Sequence, residues 1–332
     1  MNRREMLACI ASTSAITLFS QQLAFAQTRP LSALEIGQKE RFRRVRLGDV
    51  EVVALYDGVT HFPLNDQYVS NAPFQEVLAL VNKLGLSTTQ VELPFTGFLV
   101  ISEGRRILLD TGLGEFGTPR ETTGGLVDSL KAAGFKPEDI DTVLITHFHP
   151  DHISGLRNRA GEFVYPNAKV WVAQREYDFW MSASNMRAAP ERKTAFELAQ
   201  RVFTGMPDTM LIRYEPGHEV APGILSVPAY GHTPGHTTYT IRNGSRPFHY
   251  IGDMINVPAV FALHPEWSVA TDMDPASALS VRHHFLETLD NDALVGGFHF
   301  PFPAIGSLVP LEQGFRFVPF RRVCRDKGGN DT

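Results

Sequence analysis

Three histidines and one aspartate stand within six positions in Thr146-His147-Phe148-His149-Pro150-Asp151-His152. Imidazole and carboxylate are good ligands for zinc and similar divalent ions. Packing does not explain such a cluster, because buried polar groups are costly unless each finds partners. The segment directly follows an apolar strand ending at Ile145. In a turn after a strand, His147 and His149 can point one way while Asp151 and His152 face a second ion. Three further pieces follow the same plan. His232 lies in the Gly/Pro-rich turn Gly231-His232-Thr233-Pro234-Gly235-His236, Asp253 ends the strand running into Ile251-Gly252, and His299 follows Gly296-Gly297-Phe298. Taken alone, His232 or His299 would read as an ordinary surface or core histidine. Beside the first cluster, each reads as a ligand brought by a strand end into one cleft. Two divalent ions facing two aspartates can hold a hydroxide at neutral pH, since a metal lowers the pKa of its water to about 7. Such a hydroxide attacks phosphorus or a carbonyl carbon, and charge developing on the polarised oxygen is stabilised where water is excluded. No proton donor is obvious near these motifs, which suits a good leaving group such as a nitrophenolate.

Short apolar, β-branched runs alternate with helical stretches from Val45 onward. Strands are expected at Val50–Leu55, Thr142–Ile145, Ala168–Val172, Ile224–Val227, Thr238–Ile241, Phe248–Ile251 and Ala293–Gly297. Phe98–Ile101 and Ile107–Leu109 flank Glu103-Gly104 and predict a hairpin. Helices are expected over Gly125–Ala133, ended by Gly134, and over 190–205. Asp274-Pro275 has the form of a helix start, with Asp as N-cap and Pro in the first turn, leading a half-apolar helix that carries Leu279, Arg282, Phe285, Leu286 and Leu289. Interleaved strands and helices with frequent hairpins suggest an α/β (α+β) fold of two mixed sheets packed together with helices outside.

The N-terminus reads differently. Arg3-Arg4 precedes an apolar stretch from Leu7 to Phe19, and Ala24-Phe25-Ala26 offers a small-x-small cleavage site. Residues 1–26 are therefore expected to be a twin-arginine signal peptide cleaved after Ala26, 27–40 a loose arm, and 41–332 a single domain exported to the periplasm. Cys9 comes too soon after the arginines for a lipoprotein signal. Cleavage would leave only Cys324, so no internal disulfide is possible in that oxidising compartment. The chain of 332 residues carries a formal charge of −5 and is 43% hydrophobic, which fits a globular protein and supplies no basic stripe for nucleic acid. No other segment is apolar enough to span a bilayer. The expected partner is a small-molecule ester.

The pattern H-x-H-x-D-H, followed by a distant His, Asp and His, resembles the metallo-β-lactamase superfamily. All seven positions match, and the likeness extends to Thr96–Val100 and Leu108–Gly112. The resemblance implies an αββα sandwich with the site at one edge of the sheets. It implies that His147, His149 and His232 bind one metal and that Asp151, His152 and His299 bind another. Asp253 would bridge both, with a hydroxide between two divalent ions, most simply Zn2+. A closer resemblance, carried by Ile145–Gly155, Asp178–Trp180, Gly231–Tyr239, Leu263–Asp274 and Phe315–Pro319, is to the methyl parathion hydrolases. These are periplasmic two-metal organophosphate hydrolases, and they imply a homodimer. The expected reaction is hydrolysis of phosphotriesters, aryl esters or lactones. The alternative is a lactonase or β-lactamase-like hydrolase without organophosphate activity.

The same resemblance places Phe116, Trp180, Phe196, Asn256 and Met273 against substrate, with core packing as the alternative for each. Acyl-homoserine lactonases of the superfamily carry tyrosine three residues after the bridging aspartate. Asn256 at that position counts against those lactones, though not against lactones in general. Asp110, at the end of an apolar strand, either caps its turn or fixes a ligand imidazole through its second nitrogen. For His236, packing of its own turn is the favoured reading and orientation of a ligand the other. A mono-iron sulfur dioxygenase would not need Asp151, His152 and His299 together. Flavin-linked diiron reductases need a further domain, and nucleases of the superfamily need basic surface. A non-enzymatic member would be expected to have lost a ligand.

Overall fold

The periodicity of the strands explains how the layers stack. Along Val50–Pro63, Val52, Ala54 and Tyr56 join one buried cluster, while Val53 and Leu55 join another. The next strand alternates likewise, with Phe98 and Val100 on one side and Leu99 on the other. Successive side chains of a strand point to opposite faces, so a near-continuous apolar run marks a sheet covered on both sides. One cluster joins this sheet to a second through Tyr239, Ile241, Phe248 and Tyr250. The other packs it under helices through Leu126, Leu130, Phe196 and Phe203.

This computed structural model describes residues 40–242 and 246–320, all within the compact unit Ser32–Thr332. The twin-arginine stretch, the cleavage point after Ala26, the arm up to residue 39 and Cys324 lie outside the described residues. The first sheet runs in spatial order through Phe42–Leu47 (β1), Val50–Pro63 (β2), Gln90–Ser102 (β3), Arg105–Leu109 (β4), Thr142–Leu144 (β5), Lys169–Ala173 (β6) and Leu211–Tyr214 (β7). The second runs through Glu219–Ala221 (β8), Ile224–Pro228 (β9), Thr237–Ile241 (β10), Phe248–Tyr250 (β11), Leu294–Gly296 (β12), Ile305–Pro310 (β13) and Phe315–Pro319 (β14). Two mixed sheets with helices outside are what the sequence predicts.

The expected hairpin is β3–β4, with Ser102 opposite Arg105 and both turn residues, Glu103 and Gly104, at positive φ, the signature of a two-residue type I′ turn. Asp274 caps the helix Pro275–Thr288 by accepting a hydrogen bond from the Ser277 N–H. Three boundaries differ most from expectation, and in one of them β3 begins at Gln90, ahead of the expected Phe98. β2 runs on to Pro63, because Asp57-Gly58 makes a bulge rather than a strand end. Gly58 is required there, since a Cβ would come within 2.2 Å of the Thr122 carbonyl oxygen. The 190–205 helix splits into a 3-10 turn Pro190–Arg192 and the helix Lys193–Phe203.

β4, β5, β6 and β7 are mutually parallel, as are β11 and β12. Loops leaving the carboxyl ends of parallel strands gather in one place. Those after β4, β5, β11 and β12 carry Asp110, His147 to His152, Asp253 and His299 respectively. Among the described residues, no helix is long and apolar enough to cross a membrane.

Candidate metal centre

All seven histidines and aspartates of the motifs meet, in two groups. The ligand atoms of His147, His149, His232 and Asp253 lie within 4.8 Å of one another, and so do those of Asp151, His152 and His299. Asp253 also faces the second group. Its Oδ2 is 3.4 Å from His232 Nε2 and 2.9 Å from His299 Nε2, while its Oδ1 is 3.3 Å from His152 Nε2. Five of the seven are buried, whereas His149 and Asp151 are half-buried. The open side of the site therefore lies along these two. Pro150 begins the short helix Pro150–Ile153, which carries Asp151 and His152, and the His152 ring packs 4.0 Å from that of His147.

The imidazoles are locked from behind. His152 Nδ1 donates to Asp110 Oδ2 at 2.8 Å, and Asp110 also accepts from the Thr146 N–H, the Thr146 hydroxyl and the Tyr250 hydroxyl. Asp110 holds φ +56° to do so, a left-handed conformation that aspartate tolerates better than most residues. His232 Nδ1 donates to Asp272 at 2.9 Å and His299 Nδ1 to the Pro94 carbonyl at 3.0 Å. His236 accepts from the Asp253 N–H through Nε2 and donates to the Ala229 carbonyl through Nδ1. It thus fixes the loop bearing Asp253 as well as its own turn. Gly252, at φ +52°, leaves room for that contact, because a Cβ would sit 2.8 Å from His236 Nε2.

This arrangement fits cations. With Nδ1 committed outward on His152, His232 and His299, their Nε2 atoms point inward, where loss of the proton would leave each a lone pair for a metal. His152 Nε2 and Asp253 Oδ1 are buried and lack a hydrogen-bond partner among the described residues. Burial and the neighbouring imidazoles hold His147 and His149 well below the usual histidine range. Burial would raise Asp253, but His299 and His152 outweigh it and hold the carboxyl well below its usual range. An ionised carboxylate ringed by inward-facing nitrogens is a donor set for divalent metal.

Glu176 and Asp272 were not singled out from the sequence. Glu176 is 1% exposed and accepts from the Phe148 and Gly235 N–H groups, the Thr233 hydroxyl and the Trp180 indole. It ties the His147–His149 loop to the His232 turn. Burial raises its pKa, and the four donors oppose that rise. Glu176→Ala would strand those buried donors, and each unsatisfied group costs about 1–3 kcal/mol. We expect a loss of roughly 3 kcal/mol or more in urea unfolding; an unchanged midpoint would show that the loops hold without it.

The expected substrate residues divide. Trp180 and Phe196 are fully buried, 4.7 Å apart by ring centroid, and belong to the helix-side core. Both thus take the core packing that the sequence offered as the alternative for each: Trp180 lies behind His149 at 6.1 Å between ring centroids, and neither ring has a free face. Phe116 is half-buried with the Arg201 guanidinium over its ring at 3.9 Å. Met273 is half-buried, and its N–H donates to the His232 carbonyl. Asn256 is 5% exposed, with Oδ1 lacking a partner among the described residues.

Comparison with known proteins matches residues 96–298 to the model of the metallo-beta-lactamase superfamily. Among solved structures, the chain is 29% identical to AidC, described as a dizinc quorum-quenching lactonase, with a TM-score of 0.76, covering 84% of this chain and 97% of that one. It is 28% identical to AbOPH, a hydrolase in the beta lactamase superfamily, with a TM-score of 0.78, covering 85% and 98%. Among curated proteins, an N-acyl homoserine lactonase of Bacillus sp is 26% identical over 46% of this chain and 59% of its own length. Exodeoxyribonuclease WalJ of Streptococcus pneumoniae is 38% identical over 23% of this chain and 26% of its own. The chain thus spans between a quarter and six-tenths of these two curated relatives. The finer likeness to methyl parathion hydrolases gains no support from them.

Proposed function

We propose, from the premise that this chain belongs to the metallo-β-lactamase superfamily, that it is a two-metal hydrolase acting on lactones. The observation that carries the reading is Asp253, buried between two groups of inward-facing ligands. His147, His149 and His232 would hold one ion, Asp151, His152 and His299 the other, and Asp253 both, with zinc as the metal we favour. When bound, the ions supply a Lewis acid and lower the pKa of water to about 7, giving a nucleophile at neutral pH.

The chain's own groups do the rest. Asp110 and Asp272 keep the Nδ1 protons of His152 and His232 pointing outward, so that both rings offer lone pairs to the site. Half-buried His149 and Asp151 leave the approach for a ring carbonyl. Met273, fastened to the His232 carbonyl, and Asn256, three residues after Asp253, are the side chains proposed to meet the substrate. Similarity to a dizinc lactonase over nearly its full length supports lactones over phosphotriesters.

A second reading keeps aryl esters and phosphotriesters. Asn256 is a neutral amide that provides no acid, which suits leaving groups that need none. The discriminating experiment is a panel of γ-lactones, N-acyl homoserine lactones, p-nitrophenyl esters and methyl parathion with zinc-loaded protein. We expect chelator-sensitive lactone opening with the largest kcat/KM. Phosphotriester turnover without lactone turnover would reverse the order of the two readings, and activity undiminished by chelation would end both.

A further inference from the structure

Arginine is a costly residue to bury, because removing its charge from water is repaid only by full pairing. Arg282 is 1% exposed. It lies on the helix Pro275–Thr288, whose other buried positions are the small or apolar Ala278 and Leu286, so packing alone does not call for a guanidinium there. Every nitrogen of its fork is used. Nε donates to the Met254 carbonyl at 2.8 Å, one terminal nitrogen to the Trp267 and Pro265 carbonyls at 2.5 and 3.2 Å, and the other to Asp272 Oδ2 at 3.3 Å. The remaining oxygen of Asp272 accepts from His232 Nδ1 at 2.9 Å, and Met254 directly follows Asp253.

One buried side chain therefore fastens the supports of two proposed metal ligands that come from different loops. It also fastens the 265–267 segment leading to Met273. We propose that Arg282, acting through Asp272 and the Met254 carbonyl, is a positioning residue that sets the metal affinity of the His232–Asp253 side of the site. Held by the Arg282 fork through one oxygen, Asp272 presents the other to His232 Nδ1, and that fixes the ring with Nε2 facing the site. The fork reaches Met254 and Asp272 in different directions at once, which the single ammonium of lysine cannot do. The inference rests on the two-metal reading above.

The test is zinc titration of metal-free protein against a chromophoric chelator, for wild type, Arg282→Gln, Arg282→Lys, Asp272→Asn and the double variant Asp272→Asn/Arg282→Gln. Urea midpoints are measured alongside. Outer groups that orient a metal-binding histidine are worth about 10–100-fold in affinity. Arg282→Gln and Asp272→Asn should each weaken one of the two ions by that factor, and Arg282→Lys should fall between Arg282→Gln and wild type. The double variant should be no more than about threefold worse than the poorer single, since both act on His232. In the lactone assay kcat should drop while KM holds. A purely structural arginine would lower the urea midpoint and leave zinc affinity unchanged, which would overturn the inference. If Arg282→Gln fails to fold, Asp272→Asn and Arg282→Lys carry the same comparison. Wild-type protein that binds no zinc would overturn the two-metal reading and this inference together, whereas wild-type binding with unaltered variants would overturn this inference alone.

Discussion

Asp253→Ala should lower kcat/KM by at least about 10³-fold and leave fewer than one tightly held metal ion per chain. The expectation follows from its position. It belongs to the group of His147, His149 and His232, and its two oxygens also lie 2.9 and 3.3 Å from His299 and His152 of the other group, so it can serve both. Lewis-acid stabilisation is worth several kcal/mol, and each 1.36 kcal/mol is tenfold in rate. Asp151→Ala gives the contrast. It removes a ligand from one group only, so about one ion should remain while activity is lost, because activity needs both. Inductively coupled plasma mass spectrometry on the dialysed variants, with lactone kinetics on the same samples, checks both numbers. Activity within tenfold of wild type in either variant would refute a two-ion mechanism.

The seven proposed ligand positions, which the fold brings together, stood out in the sequence because they sit at strand ends and four of them crowd into one short turn. Of their supports, Asp110 and His236 were offered only beside a packing alternative, and Glu176 and Asp272 were not legible at all, for a physical reason. Asp110 meets Tyr250, 140 positions away, and Glu176 meets Phe148, 28 positions away. A carboxylate with distant partners has no local signature, and Asp272 beside the helix start at Asp274 looks like one more surface acid. Arg282 was visible only as a polar position on a half-apolar helix. The fold shows the same division. Alternation and the Glu103-Gly104 turn specify β3 and β4, whereas the extension of β2 past Asp57-Gly58 depends on a bulge against Thr122. Such a bulge mimics a turn in sequence. Trp180 and Phe196 make the point from the other side. Their aromatic character was evident, but whether a ring faces a cleft or a core is decided by how closely the helices Gln174–Trp180 and Lys193–Phe203 pack on the sheet.

Removing the metal should cost the fold as well as the reaction. A ligand that binds only the native state stabilises it by about 4 kcal/mol at a thousandfold excess over its Kd, so two sites contribute roughly twice that. For a domain of this size, 1 kcal/mol moves Tm by about 2 °C or more. Chelation should therefore lower Tm by roughly 10 °C or more, and zinc should restore it. The gap should also depend on pH, with a definite sign. Burial would lower His232, but its hydrogen bonds to Asp253 and Asp272 lift it in the metal-free protein to about 9. Its charged form thus stabilises the metal-free fold fully below the unfolded value of about 6.5, and that contribution is lost as pH rises through about 9. Metal binding runs the other way, because it needs the deprotonated ligand and releases a proton. The stabilisation by zinc should therefore be smaller at pH 6 than at pH 8.5. Calorimetry of holo and chelated protein at the two pH values measures it. A gap that is flat or reversed in pH would mean that His232 does not exchange a proton for metal, and a missing gap would mean that these seven groups hold no ion at all.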